Sequence, residues 1–255
     1  MILRKSPGEI DKMRAAGRIA AKARALAGKM VKAGVTTRSI DKAVHDYIIS
    51  QKATPAFLGY RDYPASICIS LNNEVIHGIP SGRRINKGDI VSIDVGVMKD
   101  GFVGDCAATF IAGEGSEESN RLIQITRECF YKALQAAKPG NRVSDISRAV
   151  QRHAESNGYS VVRDYTGHGV GSQIHESPEV PNFIETPRKK ADPRITEGMT
   201  IAIEPMINAG VPEILILDDG WTVVTKDGKN SAHYENTILI TGSDPEILTV
   251  CEDMP

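Results

Sequence analysis

The chain has 255 residues, of which 41% are hydrophobic and 25% charged, a composition typical of a globular protein that can bury a large core. Its formal net charge of −1 lacks the strong positive field of a general nucleic-acid-binding protein, so we expect no direct nucleic-acid specificity. The one basic cluster, Arg188 to Lys190, is short; we interpret it as a solvated loop, with a transient ribosome contact as the alternative.

The sequence shows no targeting or membrane segment. Its first residues lack the apolar core of a signal peptide, and no run approaches the roughly 18 apolar residues of a membrane helix. We therefore expect a cytoplasmic protein with no membrane partner. The four cysteines are scattered without a Cys-x-x-Cys pair, so the sequence predicts neither a disulfide framework nor a thiolate zinc site.

Two amphipathic helices are predicted at the start of the chain. Ser6-Pro7-Gly8-Glu9 has the pattern of a capped helix start, and apolar residues at helical spacing continue to about Val31. A second helix is predicted from Thr37, and we expect His45 on it to be a surface residue. The aromatic stretch that follows, residues 54–80, contains a predicted strand over residues 66–71 and a turn at His77-Gly78. Its tyrosines are typical of a core, with a pocket wall as the alternative.

The next stretch, Ile90 to Phe110, predicts a β-hairpin. Asp100-Gly101 between alternating apolar residues is a strong signal for a two-residue turn. That turn places Gly96 opposite Asp105, with Asp94 on the same face and diagonal to Asp105.

The two hairpin acids predict a cation site. Two close carboxylates cannot both stay ionised in an apolar sheet without a cation, and Gly96, which has no side chain, leaves room for one. The alternative is a register shifted by one residue, which would send Asp94 and Asp105 to opposite faces, with the acids bound by solvent or turn amides.

The second part of the chain predicts two more helices and two strands that carry acids. The helices are expected over residues 116–138 and 143–156, with His153 as a surface residue. A glycine-rich stretch then carries His168 and His175. Glu204 and Glu235 interrupt apolar runs that read as strands.

An internal repeat relates the two parts of the chain. Gly34 recurs as Gly140, and the His77-Gly-Ile-Pro segment recurs as His175-Glu-Ser-Pro. Asp94 likewise recurs as Glu204. Three matches in the same order predict two related αβ halves, about 1–112 and 113–255, that meet around a central site. Because no linker separates them, we expect one domain over residues 1–255.

Five residues are candidate metal ligands, and all but His168 lie on predicted strands. They are Asp94, Asp105, His168, Glu204 and Glu235. Mostly oxygen ligands with one imidazole suit Mn(II), Fe(II), Co(II) or Zn(II), and do not suit a structural zinc, which prefers cysteine and histidine. Four carboxylates carry more negative charge than one divalent ion neutralises, so two metal ions are expected, with Asp105 and Glu235 the better candidates for bridging them.

These residues lie in motifs that resemble a known family. The segments IDVGVMKDGFVGD, YTGHGVG, IAIEPM, DGWTVVTKDG and SAHYENTI occur in the order and spacing of the type I methionine aminopeptidases, of metallopeptidase family M24. The resemblance covers nearly the whole chain. It implies an α+β pita-bread fold, in which two pseudo-symmetric αβ halves form a central antiparallel sheet backed by helices.

The resemblance also implies a reaction and a role for each site residue. The expected enzyme is a dinuclear aminopeptidase that removes initiator methionine before a small second residue, using a metal-bridging hydroxide. Asp94 is expected to chelate one metal, His168 and Glu204 to bind the other, and Asp105 and Glu235 to bridge. His77 and His175 match the two non-ligand catalytic histidines, which contact the scissile amide. Glu204 is also expected to act as the general base.

A methionine pocket is implied by the same resemblance. Its lining is expected from Tyr60, Tyr63, Cys68 and Trp221, an apolar slot for an unbranched thioether. Phe57 and Ile174 stand where bacterial members often carry cysteine and phenylalanine, and His233 stands where glutamine is common. These departures concern pocket shape and selectivity.

The resemblance implies further binding partners. A monovalent cation, Na⁺ or K⁺, is expected near the backbone carbonyls of Asn72, Glu74 and Ser231. The substrates are expected to be N-terminal methionyl peptides and nascent chains. The lead before the first helix leaves no room for a zinc-finger extension, and the His168 to Glu204 distance leaves none for the type II insert. We expect a monomer, since no long apolar edge or heptad is evident.

Two alternative functions remain open from the sequence. A pita-bread peptidase acting on Xaa-Pro bonds uses a similar metal set, although such relatives usually carry an additional amino-terminal domain. A catalytically silent peptide-binding relative typically lacks metal ligands, whereas all five are present here. A phosphohydrolase is disfavoured because no glycine-rich phosphate loop or arginine clamp accompanies the acids.

Overall fold

The computed structural model describes residues 2–184 and 192–251, so the basic cluster at 188–190 lies outside the described residues. The helices of these ranges are α1 (Pro7–Met30), α2 (Thr37–Ser50), α3 (Glu117–Ala136) and α4 (Val143–Ser156), and a short 3₁₀ helix spans Tyr60–Asp62. The strands are β1 (Thr54–Pro55), β2 (Cys68–Leu71), β3 (Glu74–Ile76), β4 (Ile90–Lys99), β5 (Phe102–Ile111), β6 (Ser160–Val161), β7 (Thr166–Gly169), β8 (Glu176–Pro181), β9 (Thr200–Ile203), β10 (Met206–Asn208), β11 (Ile214–Ile216), β12 (Val223–Thr225), β13 (Ser231–His233), β14 (Asn236–Leu239) and β15 (Glu246–Ile247).

The four predicted helices are confirmed, with ends within two residues of those expected. At the start of α1 the Ser6 backbone N–H donates to Glu9 Oε2 at 2.7 Å, as the capping pattern predicted. No helix in the described part of the chain has the length and apolar composition that a membrane crossing requires.

The hairpin of β4 and β5 has the predicted register. Lys99 pairs with Phe102 across the Asp100-Gly101 turn, and Gly96 pairs with Asp105. Asp94 pairs with Ala107 in the same ladder, so Asp94 and Asp105 lie on one face of the sheet. The alternative register, which would separate the two acids, is therefore wrong.

The strands form antiparallel sheets against which the helices pack. One sheet has the order β1-β4-β2 with β5 beside β4, and a second has the order β15-β14-β9-β7-β8. Two three-stranded sheets, β13-β10-β6 and β11-β12-β3, complete the architecture. Helices α1 and α2 cover the first sheet, and α3 and α4 pack together on the strands of the second half. Buried apolar residues fill the space between helices and sheets in each half.

A seam of hydrogen bonds joins the two halves along β5. Ala107 and Glu235 exchange backbone hydrogen bonds of 3.2 and 2.9 Å. On one side, the Thr237 hydroxyl accepts from the Asp105 N–H and donates to the Asp105 carbonyl. On the other, the Thr109 hydroxyl accepts from the His233 N–H at 2.9 Å and donates to the His233 carbonyl at 2.9 Å. This seam fixes the backbone of two predicted ligands, Asp105 and Glu235, relative to each other.

The repeat found in the sequence has equivalent hydrogen bonds in the structure. The Gly34 N–H donates to Ile85 O at 2.8 Å, and the Gly140 N–H donates to Ile195 O at 3.0 Å. Both glycines have φ near +90°, where a glycine is favoured. The matching segments thus have the same local geometry in both halves.

Helix α1 lies so close to β5 and to the Leu248 backbone that glycine is required at these contacts. A Cβ added at Gly104 would come within 2.5 Å of the Gly17 backbone nitrogen, and one added at Gly17 would overlap the Leu248 carbonyl. We predict that Gly17→Ala lowers the free energy of unfolding by about 1–3 kcal/mol, because overpacking a tight contact forces the backbone apart. Urea unfolding at a fixed metal concentration measures this effect.

Gly8→Ala, on the same helix, is the matched control, because no atom lies within 4 Å of its added Cβ. The two variants make the same chemical change in one helix. Equal unfolding midpoints for both would contradict the close-contact explanation.

Candidate metal centre and active site

The structure brings the five candidate ligands together where the two halves meet. Asp94 and Asp105 come from β4 and β5. His168 lies within β7, although the sequence placed it in a loop. Glu204 and Glu235 lie between strands, so their prediction as strand residues was wrong: Pro205 follows Glu204 and interrupts the ladder between β9 and β10, and Glu235 instead pairs with Ala107 across the seam.

The ligand atoms of three of these residues form a tight, buried group. Those of Asp105, His168 and Glu235 all lie within 4.8 Å of one another. The three residues are 3%, 8% and 2% exposed. His168 Nε2 is 3.9 Å from Asp105 Oδ2 and 3.3 Å from Glu204 Oε1, which adds a fourth member.

The four carboxylates are poorly solvated and repel one another. Burial raises the pKa of Asp94 to about 7. Burial, followed by repulsion from neighbouring acids of the group, raises the pKa values of Asp105, Glu204 and Glu235 well above their ordinary range. One oxygen of each of the four acids is buried without a hydrogen-bond partner. Such orphaned anionic oxygens are costly in a folded protein unless a cation binds them.

The tautomer of His168 indicates that this cation is a metal. Its Nδ1 is 3.0 Å from the Gly169 carbonyl oxygen, which can only accept, so Nδ1 carries the proton. Burial lowers the pKa of His168 to about 3, so the ring is neutral and its Nε2 presents a lone pair. That lone pair faces Glu204 Oε1 at 3.3 Å, and this oxygen is also an acceptor once the carboxyl is ionised. Two acceptors facing each other are unfavourable alone but suit a shared metal ion, and a backbone carbonyl on the other ring nitrogen is typical of metal-binding histidines.

The prediction that Gly96 leaves room for a cation was wrong, because a side chain fills that space. A Cβ at Gly96 would come within 2.5 Å of the Phe57 ring. The acids therefore converge beside the Phe57 ring rather than over the glycine. The donor set itself, four carboxylates and one neutral imidazole, fits divalent metal ions.

Two further histidines lie near the candidate ligand His168: His175 contacts it, and His77 interacts electrostatically with His175. His77 has φ +60°, a conformation uncommon for a residue with a side chain, and it precedes Gly78, whose added Cβ would overlap the Ile69 carbonyl. Burial and His175 lower the pKa of His77 to about 4, so its ring is neutral near pH 7. The His175 ring lies 4.2 Å from the His168 ring, centroid to centroid, and its Nδ1 is 2.9 Å from the Tyr60 hydroxyl.

All six predicted pocket residues lie in one apolar cluster. Phe57, Tyr63, Cys68 and Ile174 are buried in it, and Tyr60 and Trp221 pack against it. Trp221 contacts Tyr63 edge to face at 5.0 Å and His77 at 6.0 Å, centroid to centroid. The apolar cluster therefore adjoins His77, one of the candidate catalytic histidines.

Sequence reasoning missed one residue that supports the centre, Arg24 of α1. Its guanidinium is buried, and Nη1 donates to the carbonyls of Ala107 and Glu235 at 3.1 and 2.9 Å and to Asn236 Oδ1 at 3.1 Å. A signal for it existed, since Arg24 interrupts the alanine-rich buried face of α1. The guanidinium therefore stabilises the seam, because its Nη1 binds backbone carbonyls and the Asn236 amide and not the four carboxylates.

The two histidines expected on the surface are partly buried instead. His45 Nδ1 lies 2.8 Å from the Ser66 hydroxyl, and His153 Nε2 lies 2.8 Å from Glu128 Oε2. Both belong to helices at the periphery of the fold, and neither contributes an atom to the acidic group.

We predict that the metal-free protein loses stability as pH rises above about 6.5, until the buried acids have ionised in the folded state as well. An acid with a raised pKa holds a proton in the folded state that the unfolded state has already released. Each such acid therefore lowers the free energy of unfolding by roughly 1 kcal/mol per pH unit until it ionises in the folded state. The lowered pKa values of the histidines make stability rise with pH instead. This effect ends at about pH 6.5, because above it histidine is neutral in the unfolded state too. Urea unfolding in a chelator across this pH range measures the slope.

Adding Mn(II) should abolish this loss, because the bound ion compensates the carboxylate charge. Asp105→Asn, which removes one acid, should reduce the slope in the chelator. Stability of the metal-free protein that stays constant or rises as the pH is raised above 6.5 would contradict the assignment of the buried acids.

Comparison with known proteins agrees with this geometry. The sequence pattern of metallopeptidase family M24 matches residues 11–242. A methionine aminopeptidase of Clostridium perfringens is 50% identical over 250 residues, covering 98% of this chain and 99% of the relative. The crystal structure of methionine aminopeptidase from Thermotoga maritima matches with a TM-score of 0.94 and 42% identity, over 98% of this chain and 99% of that one. The prolidase of Pyrococcus furiosus is 27% identical with a TM-score of 0.80, and the match covers 98% of this chain and 66% of the prolidase.

These matches confirm the predicted family and fold class. The identity extends over almost the whole length of both this chain and the bacterial relative. The chain therefore belongs to metallopeptidase family M24, has the α+β pita-bread fold, and groups within that family with the methionine aminopeptidases.

Proposed function

We propose that this protein is a dinuclear metal-dependent methionyl aminopeptidase. It removes the N-terminal methionine from peptides and nascent chains whose second residue is small. The observation that carries this proposal is the buried acidic group, in which the His168 Nε2 lone pair faces Glu204 Oε1 at 3.3 Å. Membership of the methionine aminopeptidases supplies the substrate class.

Two divalent ions, each Co(II), Mn(II), Fe(II) or Zn(II), are assigned to the acidic group. Asp94 would hold one ion, His168 and Glu204 would hold the other, and Asp105 and Glu235 would be ligands shared by both. The seam supports the bridging roles, since it fixes the backbone of Glu235, between β13 and β14, beside that of Asp105 on β5. When bound, the ions supply Lewis-acid activation of water and of the scissile carbonyl.

The side chains around the metal ions position the substrate and transfer protons. Glu204 would accept the proton of the attacking water, because its carboxylate lies at the centre beside His168, with Oε1 buried and without a hydrogen-bond partner. His77 is neutral near pH 7 and can donate to the oxygen that becomes anionic during attack. His175 is paired through Nδ1 with the Tyr60 hydroxyl, which orients its other nitrogen as a second donor. The apolar cluster of Tyr60, Tyr63, Cys68, Trp221, Phe57 and Ile174 receives the methionine side chain.

The remaining assignments follow from the same proposal. Residues 1–255 form a single domain with related halves near 1–112 and 113–255, which the seam holds together. A Na⁺ or K⁺ ion binds near Asn72, Glu74 and Ser231; the Ser231 N–H already donates to the Asn72 carbonyl at 2.9 Å, which brings these segments together. The protein acts in the cytoplasm as a monomer, where it meets nascent chains during a transient ribosome contact.

Hydrolysis of Met-Ala-Ser and of a matched Xaa-Pro peptide tests the activity. We predict that the metal-stripped protein is inactive, and that Mn(II), Co(II) or Fe(II) restores cleavage of the methionyl peptide alone. Asp105→Asn should bind less metal and show no restored cleavage, because one bridging ligand is lost. Cleavage of the Xaa-Pro peptide would assign the protein to the prolidases, and metal binding without cleavage of either peptide would indicate a binding protein.

The histidine roles give a separate prediction. His77→Asn tolerates the left-handed backbone but has a shorter side chain, and His175→Ala removes the imidazole. Each should lower kcat by about 10²–10³-fold with metal affinity unchanged, since each removes one donor to the developing oxyanion. Steady-state kinetics and isothermal titration with Mn(II) measure the two quantities. His153→Ala is the control and should retain native kcat; loss of metal binding in His77→Asn would show that His77 is a ligand.

A further inference from the structure

We propose that His233 is a positioning residue for Glu204: its Nε2–H binds Glu204 Oε2 and directs Oε1 towards the metal on the His168 side. This inference rests on the proposed metal site and assigns a role to a residue outside the ligand set. Its basis is a buried imidazole nitrogen that has no hydrogen-bond partner at the edge of the acidic group.

The position of His233 is fixed by its backbone. It ends β13, pairs with Met206 of β10, and has both its N–H and its carbonyl bound by the Thr109 hydroxyl. The residue is 2% exposed, and Nε2 is completely buried. An imidazole held in this way has little freedom to turn towards solvent.

The imidazole faces the second oxygen of Glu204. His233 Nε2 is 3.9 Å from Glu204 Oε2, and His168 Nε2 is 3.3 Å from Oε1. The carboxylate thus lies between two imidazoles, one near each oxygen. Because His168 carries its proton on Nδ1, only His233 of these two can donate to Glu204.

No other donor serves this carboxylate among the described residues. The Asn182 side chain donates to the Glu204 backbone carbonyl at 2.9 Å and leaves the carboxylate free. A distance of 3.9 Å is too long for a hydrogen bond, and a shift of roughly 1 Å brings it into range. Rotation of the carboxylate towards the metal would supply such a shift. The hydrogen bond would then hold Oε2 while Oε1 faces the metal.

Two substitutions of similar size separate the effect of the hydrogen-bond donor from the effect of side-chain volume. His233→Gln keeps an N–H donor, and His233→Met fills the space without one. Co(II) titration of the metal-stripped proteins, followed by visible absorption and by competition with a chelator, measures affinity and coordination geometry. We expect His233→Met to bind Co(II) about 10–100-fold more weakly with an altered absorption spectrum, and His233→Gln to resemble the native protein, since outer partners of metal ligands have effects of this size.

The outcomes distinguish this inference from the proposed function. Native affinity and spectrum in His233→Met, or equal losses in both variants, would overturn the positioning role. If Asp105→Asn leaves Co(II) binding unchanged, the metal site itself is wrong; if it removes binding while His233→Met does not, only the inference fails. Circular dichroism establishes that each variant is folded, and His233→Asn, whose amide is too short to reach Glu204, replaces His233→Met should the latter not fold.

Discussion

The seam between β5 and residues 233–237 is the constraint on which the rest of the centre depends. Its central pair, Ala107 and Glu235, has ordinary backbone hydrogen bonds, and a threonine hydroxyl bridges the strands on either side. A hydroxyl can both accept and donate, so each threonine serves the N–H and the carbonyl of one residue opposite it. The arrangement positions Asp105, Glu235 and His233 with backbone precision, which a site built on loops would lack.

The backbone holds the acids close together although their charges repel one another. Four carboxylates converge in a buried space, and the pKa of each is raised. Arg24, a buried cation nearby, could have formed a salt bridge with them. Its Nη1 instead donates to the carbonyls of the seam and to Asn236, so it stabilises the frame without occupying the ligand oxygens. The fold thus tolerates an electrostatic cost that bound metal relieves, as is common where a site is organised for function.

Local sequence signals predicted one half of the centre better than the other. The Asp-Gly turn determines the hairpin register, and the register alone places Asp94 and Asp105 on one face. Glu204 and Glu235 were recognised because they interrupt apolar runs, but their backbone was misassigned, since Pro205 and the cross-half pairing with Ala107 decide it. The threonine bridges of the seam and the Phe57 ring over Gly96 join residues far apart in the chain, and no local pattern encodes them. The family resemblance supplied the pocket residues, which composition and periodicity would have left as core.

The register of β4 also explains why the apolar cluster lies directly beside the acids. Cys68 of β2 pairs with Asp94, and Phe57 covers Gly96, the partner of Asp105. Residues directly opposite in a ladder share a face, so the apolar wall and the acids lie on the same side of this sheet. The wall excludes water from the carboxylates, which raises their pKa values and strengthens every electrostatic interaction there. In the proposed enzyme, recognition of an apolar side chain and tuning of the metal ligands would therefore be properties of one sheet face, and a change in the shape of the wall would alter both.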